Sequence, residues 1–169
     1  ELGRIKAETS DKEALKVFYT ALYHAMIAPA TFCDVDGSYR GADGEIYQNP
    51  GYKTYTTFSL WDTYRAAMPL YSIFQSERYT DFINTMFSIY REQGKLPVWH
   101  LHGCETDCMV GNPGIPPVAD AIAKGFEGFD YELAFEAMKA SALRPDRSQD
   151  LRMKYGYIPC DLANESVAY

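Results

Sequence analysis

The residues best placed for chemistry surround Glu105. It is the only acid in the segment WHLHGCET, residues 99–106, which also contains Trp99, two histidines and Gly103. An apolar, aromatic surround favours the protonated form of a carboxyl group, which can then act as a general acid on a leaving oxygen. Alternatively, Glu105 or Asp107 accepts hydrogen bonds from backbone donors in a tight loop. Residue types and spacing leave both interpretations open.

A second cluster, FSLWDTYR, occupies residues 58–65 and brings together an aromatic ring, an acid and a base. It lies at the start of a predicted helix, where the helix dipole favours an acid such as Asp62. Asp62 and Arg65, three residues apart, could form an ordinary surface pair. In the functional alternative, Trp61 stacks on a sugar ring while Asp62 accepts hydrogen bonds from two hydroxyl groups.

A third set combines histidine and cysteine: His100, His102, Cys104 and Cys108. In an extended strand, the first three would point to the same side, which suggests a transition metal. None of the usual paired spacings of zinc ligands is present, so we expect no such site. Cys104 and Cys108 could form a disulfide, although two unrelated buried thiols are the favoured interpretation. The turn DVDG, residues 34–37, lacks the other positions of a helix–loop–helix calcium loop.

Composition limits the classes of function. The 169 residues are 47% hydrophobic and 23% charged, as expected for a soluble globular domain or a piece of one. Sixteen basic and 23 acidic residues give a net charge of −7 without a basic stripe, which argues against nucleic acid as a partner. No stretch approaches the roughly 18 apolar residues of a membrane span.

The hydrophobic pattern predicts a mainly α-helical chain. A capping box, Ser10 to Glu13, predicts a first helix with Ser10 as its N-cap. The turn signals Asp36-Gly37 and Asp43-Gly44 predict a short β-hairpin inside an insertion of about residues 30–57. Further helices are predicted near 59–74 with a kink or break at Pro69, from 77 to 93, from Pro116 or Pro117 to 125, and from 130 to 143.

The last residues, Asn164 to Tyr169, have the pattern of an N-cap followed by the first turn of a helix. One turn is not stable alone. We therefore expect the chain to be a fragment of a longer protein, cut at both ends, and its helices to be an arc of a larger toroid.

Taken together and in order, four motifs resemble glycoside hydrolase family 92. They are DVDGxYRG at 34–41, YTxFSLWDTYR at 55–65, LPxWxLxGxETxCM at 96–109, and KYGYIP at 154–159 with NESV at 164–167. The match runs from about residue 17 to the end. Members of this family are exo-acting α-mannosidases, often described as α-1,2-mannosidases.

The resemblance implies a fold, a reaction and partners. It implies an N-terminal β-sandwich followed by an (α/α)6 barrel, with this chain in the earlier half of the barrel. It implies inverting, calcium-dependent removal of terminal mannose from glycans, in an exported parent enzyme. Glu105 would be the general acid, and Trp61, Asp62, Trp99 and Arg65 would contact the substrate. The general base would lie outside this chain, so we expect the chain alone to be inactive.

The sequence also departs from the family pattern. Cys104 stands where the family usually has Asn, and Pro113 replaces the histidine of a common Gly-x-His-x-x-Pro stretch. These changes affect the side of the site that would hold the leaving group. They favour a second hypothesis, a carbohydrate-binding or scaffolding helical domain derived from such an enzyme without catalysis.

Overall fold

The computed structural model describes residues 2–146 and 148–163, and within them the chain is mainly helical. After a 3-10 turn at Leu2–Arg4, the elements are α1 Lys12–Ala25, β1 Ala30–Thr31, β2 Tyr39–Arg40, β3 Ile46–Tyr47, β4 Tyr55–Thr56, β5 Phe58–Ser59, α2 Leu60–Thr63, α3 Ala67–Phe74, α4 Ser76–Gln93, β6 Trp99–Leu101, β7 Cys104–Glu105, α5 Ile115–Ala123, α6 Tyr131–Leu143 and α7 Gln149–Tyr155. The predicted predominance of helix is confirmed.

Helix α4 forms the centre of the core. Phe82, Ile83, Met86 and Phe87 recur at helical spacing and are all at most 2% exposed. Helices α3, α5 and α6 pack around α4. Gly94 ends the helix in a left-handed conformation with φ of 79°, as predicted.

Helix α1 begins one residue later than the capping box predicts. Asp11, not Ser10, is its N-cap, because the Asp11 carboxylate accepts hydrogen bonds of 3.0 Å from the backbone nitrogens of both Glu13 and Ala14. The helix lies at the periphery, with Leu22 as its one buried residue among those described.

The predicted helix over 59–74 is divided into α2 and α3 by a turn at residues 64–66. The break precedes Pro69 rather than falling on it. Pro69 is the third residue of α3, where a backbone N–H has no partner within the helix, so the proline is tolerated. A kink or break of this helix at Pro69 was predicted, but the break lies three to five residues upstream of Pro69.

The strands form three small antiparallel sheets. Strands β2 and β3 form the predicted hairpin, with Tyr39 opposite Tyr47. Strand β1 pairs with β4 and thereby closes the insertion at residues 30–57. The Glu92 carboxylate on α4 anchors the hairpin, since it accepts hydrogen bonds from the Tyr39 hydroxyl at 2.7 Å and the Ala42 nitrogen at 2.8 Å.

The third sheet, β5–β6–β7, carries the predicted chemistry. Ser59 lies opposite Trp99, and His100 lies between Phe58 on one side and Glu105 on the other. The segment that contains Glu105 is therefore a tight hairpin against β5, and not a single extended strand.

The C-terminal helices largely follow the sequence pattern. Helix α5 begins at Ile115, one residue before Pro116, and Asp130 caps α6 by accepting hydrogen bonds from Glu132 and Leu133. Helix α7 was not predicted, and the helical turn predicted for Asn164 to Tyr169 lies outside the described residues. None of the helices in residues 2–146 and 148–163 is both long and apolar enough to cross a membrane.

Candidate active site

The Glu105 carboxylate is held by three main-chain donors. One oxygen, Oε2, accepts a hydrogen bond of 2.8 Å from the Val98 nitrogen. The other, Oε1, accepts hydrogen bonds of 2.8 Å from Trp99 and 3.0 Å from Asp107. The alternative in which Glu105 accepts hydrogen bonds from backbone donors in a tight loop is therefore confirmed. A carboxylate has about four acceptor positions, so one on Oε2 remains for a further partner or a proton.

Val98 connects this carboxylate to the helix that bears the second cluster. Its N–H donates to Glu105, while its carbonyl oxygen accepts a 3.2 Å hydrogen bond from the nitrogen of Leu60, the first residue of α2. One residue thus bonds to the candidate acid on one side and to the start of the helix of Trp61 on the other. The two sequence clusters, 34 or more residues apart in the chain, meet here.

The loop after Glu105 is tied back in two places. The nitrogen and hydroxyl of Thr106 both donate to the Trp99 carbonyl, at 3.2 and 2.8 Å. Asp107, in a left-handed conformation with φ of 47°, forms an ion pair with the ammonium group of Lys95. Lys95 is only 7% exposed. The sequence analysis did not single out Lys95, although a lysine between Gly94 and a Leu-Pro pair is unusual in a buried connection.

Arg65 packs against aromatic rings instead of pairing with Asp62. Its guanidinium carbon lies 5.3 Å from the Trp61 ring centroid and 4.9 Å from that of Tyr64, within cation–π range. It also donates a 3.3 Å hydrogen bond to the Trp61 carbonyl. No Asp62–Arg65 ion pair forms in the part of the chain that the structure describes, and the Asp62 side chain is exposed.

Trp61 and Arg65 line an open groove of about 320 Å³. We call it the Trp61 groove; its lining is Trp61, Tyr64, Arg65, Val110, Gly111, Asn112, Pro113 and Pro116. The structure therefore brings two of the predicted site residues together in one cavity. Asp62, Trp99 and Glu105 lie outside its lining. The resemblance connected the second wall with the site through Pro113, but the sequence analysis did not single out Asn112 as a contact, because Gly and Pro around it signal only a turn.

His100 is buried beside Glu105 without a hydrogen-bond partner. It is 3% exposed, and neither ring nitrogen contacts a donor or acceptor among the described residues. Burial lowers the pKa of His100 to about 4, against the opposing effect of the Glu105 charge. The imidazole is therefore neutral at physiological pH.

The predicted alignment of His100, His102 and Cys104 on one side is wrong. The strand ends at Leu101 and reverses at His102, which has φ of 49°, so these side chains do not share a face. Within residues 2–146 and 148–163, no three His, Cys, Asp or Glu side chains group as a metal site. Cys104 and Cys108 are free thiols and not a disulfide, as the favoured interpretation predicts, but both are exposed and not buried.

Comparisons with known proteins point in one direction. The family model described as "Glycosyl hydrolase family 92 catalytic domain" matches residues 1–169. The solved structure of the family GH92 alpha-mannosidase BT3965 from Bacteroides thetaiotaomicron superposes with a TM-score of 0.94 at 41% identity. A second structure of BT3965, in complex with mannoimidazole, gives a TM-score of 0.91 over 95% of this chain and 21% of that one.

The family GH92 inverting mannosidase BT2199 from the same organism superposes with a TM-score of 0.83 at 30% identity, over 94% of this chain. This chain spans 23% of the length of BT2199, and its match to BT3965 covers 99% of this chain and likewise 23% of that one. No curated protein matches the chain.

Proposed function

Because this chain belongs to glycosyl hydrolase family 92, we propose that it forms part of the catalytic domain of an enzyme that removes terminal α-linked mannose from glycans. The similarity to α-mannosidases along 99% of the chain supports this proposal. The chain would contribute one section of an (α/α)6 barrel, with the insertion at residues 30–57. The rest of the barrel and an N-terminal β-sandwich would complete the enzyme.

Glu105 is the proposed general acid, and the observation that supports it most is its bond to Val98, which also bonds to the start of the helix that bears Trp61. Three backbone bonds fix the orientation of the carboxyl group while leaving one position on Oε2. A proton at that position would pass to the glycosidic oxygen as the bond to the leaving group breaks. The main-chain donors orient the carboxyl group because the hairpin places them rigidly.

Trp61, Asp62, Trp99 and Arg65 are the proposed substrate contacts. Trp61 and Arg65 line the groove, the exposed Asp62 carboxylate can accept hydrogen bonds from sugar hydroxyls, and Trp99 is the first residue of the hairpin that carries the acid. Aromatic faces and hydrogen-bonding groups together are what recognition of a sugar ring requires.

Inversion requires a second carboxylate that activates water from the opposite face of the sugar, roughly 6.5–9.5 Å from the acid. We propose that this base lies outside the present chain. We also propose that the complete enzyme requires calcium. This chain alone should therefore show no mannosidase turnover, and robust turnover by it would contradict the division of residues proposed here.

The cellular setting follows from the proposed substrate. Mannose-containing glycans occur mainly outside the cytoplasm, so the complete enzyme would be exported to the periplasm, the cell surface or the medium. Among linkages, α-1,2 is the first to test.

One observation favours a second candidate, a non-catalytic carbohydrate-binding or scaffolding domain of the same origin. The three backbone bonds to Glu105 would also be expected of a residue that only closes a loop. Under this alternative, the complete protein would bind mannose oligosaccharides in a calorimeter but would not hydrolyse any α-mannoside.

The deciding experiment is Glu105→Gln in the complete enzyme, assayed on an α-1,2-linked mannobiose and on α-mannosyl fluoride. The first substrate has a poor leaving group that needs protonation, whereas fluoride departs with little help. We expect the mannobiose rate to fall about 100-fold or more, and the fluoride rate about tenfold or less.

Glu127→Gln, at an exposed glutamate, is the matched control and should retain both rates. Equal losses on the two substrates in Glu105→Gln would remove Glu105 from the acid role. Thermal unfolding of each variant separates a lost proton donor from a damaged loop.

A further inference from the structure

The three main-chain donors to the Glu105 carboxylate come from both sides of it in the chain. The nitrogens of Val98 and Trp99 precede Glu105 and each donate at 2.8 Å. The nitrogen of Asp107 follows Glu105 and donates at 3.0 Å. All three bonds form together only if the loop at Asp107 is held at a fixed position relative to residues 98 and 99.

Lys95 connects the two sides. It lies three residues before Val98, and its ammonium group donates to both carboxylate oxygens of Asp107. The lysine side chain is 9% exposed, so salt and water screen this ion pair less than a pair on the surface. Lys95 therefore reaches the third donor to Glu105 through the side chain of the residue that carries that donor.

The main chain on each side of the Lys95 side chain is itself fixed. The Lys95 carbonyl oxygen accepts a 3.1 Å hydrogen bond from the side-chain amide of Gln93, at the end of α4. The next nitrogen, that of Leu96, donates at 2.9 Å to the buried hydroxyl group of Ser141 on α6. The ammonium group thus extends from a backbone bonded to two helices of the core, and can hold the exposed loop in place.

The backbone conformation of Asp107 makes such a tether necessary. Its φ of 47° lies in the left-handed region, which costs a residue with a side chain roughly 1–2 kcal/mol, although aspartate adopts it more readily than most. Residues 106–108 belong to no helix or strand that would impose this conformation. Without the ion pair, we expect residue 107 to relax to a commoner conformation, which would turn its N–H away from Glu105.

We propose that Lys95 is a positioning residue for the candidate general acid: through Asp107, it keeps the third main-chain donor on Glu105 and so fixes the direction of the remaining position on Oε2. The proposal rests on the proposed function, because the carboxyl group needs a fixed direction only if it delivers a proton. Lys95 acts through Asp107 and is not a catalytic group. A carboxyl group held by two donors would still carry the proton, but would present it to the glycosidic oxygen in fewer of its conformations.

The test is Lys95→Met in the complete enzyme, with an α-1,2-linked mannobiose and α-mannosyl fluoride as substrates. Mannobiose needs the proton and the fluoride needs it little, so a misdirected acid lowers the ratio of kcat for mannobiose to kcat for the fluoride. We expect this ratio to fall about tenfold, less than the roughly 100-fold that a misplacement of 1 Å can cost, because two donors still hold the carboxyl group. A merely structural role would reduce the amount of folded enzyme, which lowers both rates equally and leaves the ratio unchanged.

Two further variants in the Lys95→Met background separate the conformation of residue 107 from its charge. Asp107→Gly and Asp107→Ala both remove the carboxylate, but only glycine adopts a φ of 47° without strain. We expect the ratio to be about threefold higher with glycine than with alanine, since glycine lets the N–H return to Glu105. Equal ratios in these two variants would overturn the proposal.

Lys124→Met is the matched control. Lys124 is also ion-paired and hydrogen-bonded, but its partners are Asp120 on α5 and Ser72 on α3, so the ratio should stay as in the wild type. A wild-type ratio in Lys95→Met would overturn the proposal. If the wild type hydrolyses neither substrate, or Glu105→Gln loses both rates equally, the proposed function fails; if those two results are as expected and Lys95→Met does not move the ratio, only the positioning role fails.

Discussion

Lys95 and Asp107 form an ion pair in which the lysine side chain is 9% exposed and the aspartate side chain is 45% exposed. Lys95 follows the end of α4, and Asp107 lies two residues after Glu105. The pair therefore fastens the loop that carries the candidate acid to the central helix of the core. Because Lys95 is buried and Asp107 is half-exposed, substitutions of these two residues should differ in their effect on stability.

Asp107→Asn should destabilise the protein by about 2–3 kcal/mol, because it leaves the buried ammonium group without its carboxylate. Lys95→Met should cost less than about 1 kcal/mol, since the half-exposed Asp107 can be hydrated and Met can fill the buried space. Urea unfolding of both single variants and of the double variant measures the difference. A double variant less stable than Asp107→Asn would contradict this account of the pair.

His100 should make the protein less stable in acid. Its pKa is lowered from 6.5 to about 4 by burial, so between these values the unfolded chain binds a proton that the folded chain does not. Stability from this group is therefore complete above pH 6.5 and declines as the pH falls, by on the order of 3 kcal/mol at pH 4.

His100→Leu should flatten the dependence of unfolding free energy on pH between 4 and 6.5. It should also be at least as stable as the wild type at pH 5, because it removes two buried nitrogens without partners. His24→Leu, at an exposed histidine, is the control. Chemical unfolding at four or five pH values measures this dependence for each variant. If the unfolding free energy of His100→Leu changed with pH in parallel with that of the wild type, a buried neutral imidazole would be contradicted.

The hairpin β2–β3 provides a matched pair of tyrosines. The Tyr39 hydroxyl donates to Glu92 on α4, and burial raises the pKa of that hydroxyl, whereas the Tyr47 hydroxyl donates to the exposed Asp43 within the same hairpin. Tyr39→Phe should lose about 1–2 kcal/mol, because it leaves a charged acceptor without one of its donors. Tyr47→Phe should lose distinctly less. Thermal unfolding compares them, and equal losses would show that Glu92 does not anchor the hairpin.

Gly114 tests the rigidity of the wall at Asn112. Gly114→Ala would force a Cβ to within 2.8 Å of Leu96 and Pro97, so we expect a loss of about 1–3 kcal/mol through overpacking. Gly3→Ala is the control, since nothing lies within 4 Å of its Cβ position. The same variant should lower mannobiose turnover in the complete enzyme. Unchanged melting of Gly114→Ala would mean that the wall yields easily.

Local signals in the sequence predicted most of the helices. Gly94 and Asp130 predicted the end of α4 and the start of α6 because each acts through its own backbone or its nearest neighbours. The N-cap of α1 was assigned one residue early, since Ser10 and Asp11 are both good caps and only the folded geometry selects between them. Helix α7, with seven residues, is too short to leave a clear pattern.

Several residues of the candidate site could be predicted from the sequence, but their arrangement in space could not. Glu105, Trp61 and Arg65 were all singled out, yet the turn at His102 that places Glu105 against β6 depends on φ values that the residue type does not dictate. Arg65 could pair with Asp62 or pack on Trp61, and sequence spacing permits both. Asn112 was not singled out, because its place in the same groove as Trp61 depends on residues 61–65, far away in the chain.

Val98 bonds to Glu105 through its main-chain nitrogen and to Leu60 through its main-chain oxygen. The geometry of these two bonds should therefore tolerate nearly any side chain at position 98 that fits its buried space. Proline is different, because it would remove the donor to Glu105. Related proteins could therefore have a different side chain at position 98 and keep the site intact. A comparison of their side chains alone would overlook the main chain of residue 98, which connects the candidate acid to the helix of Trp61.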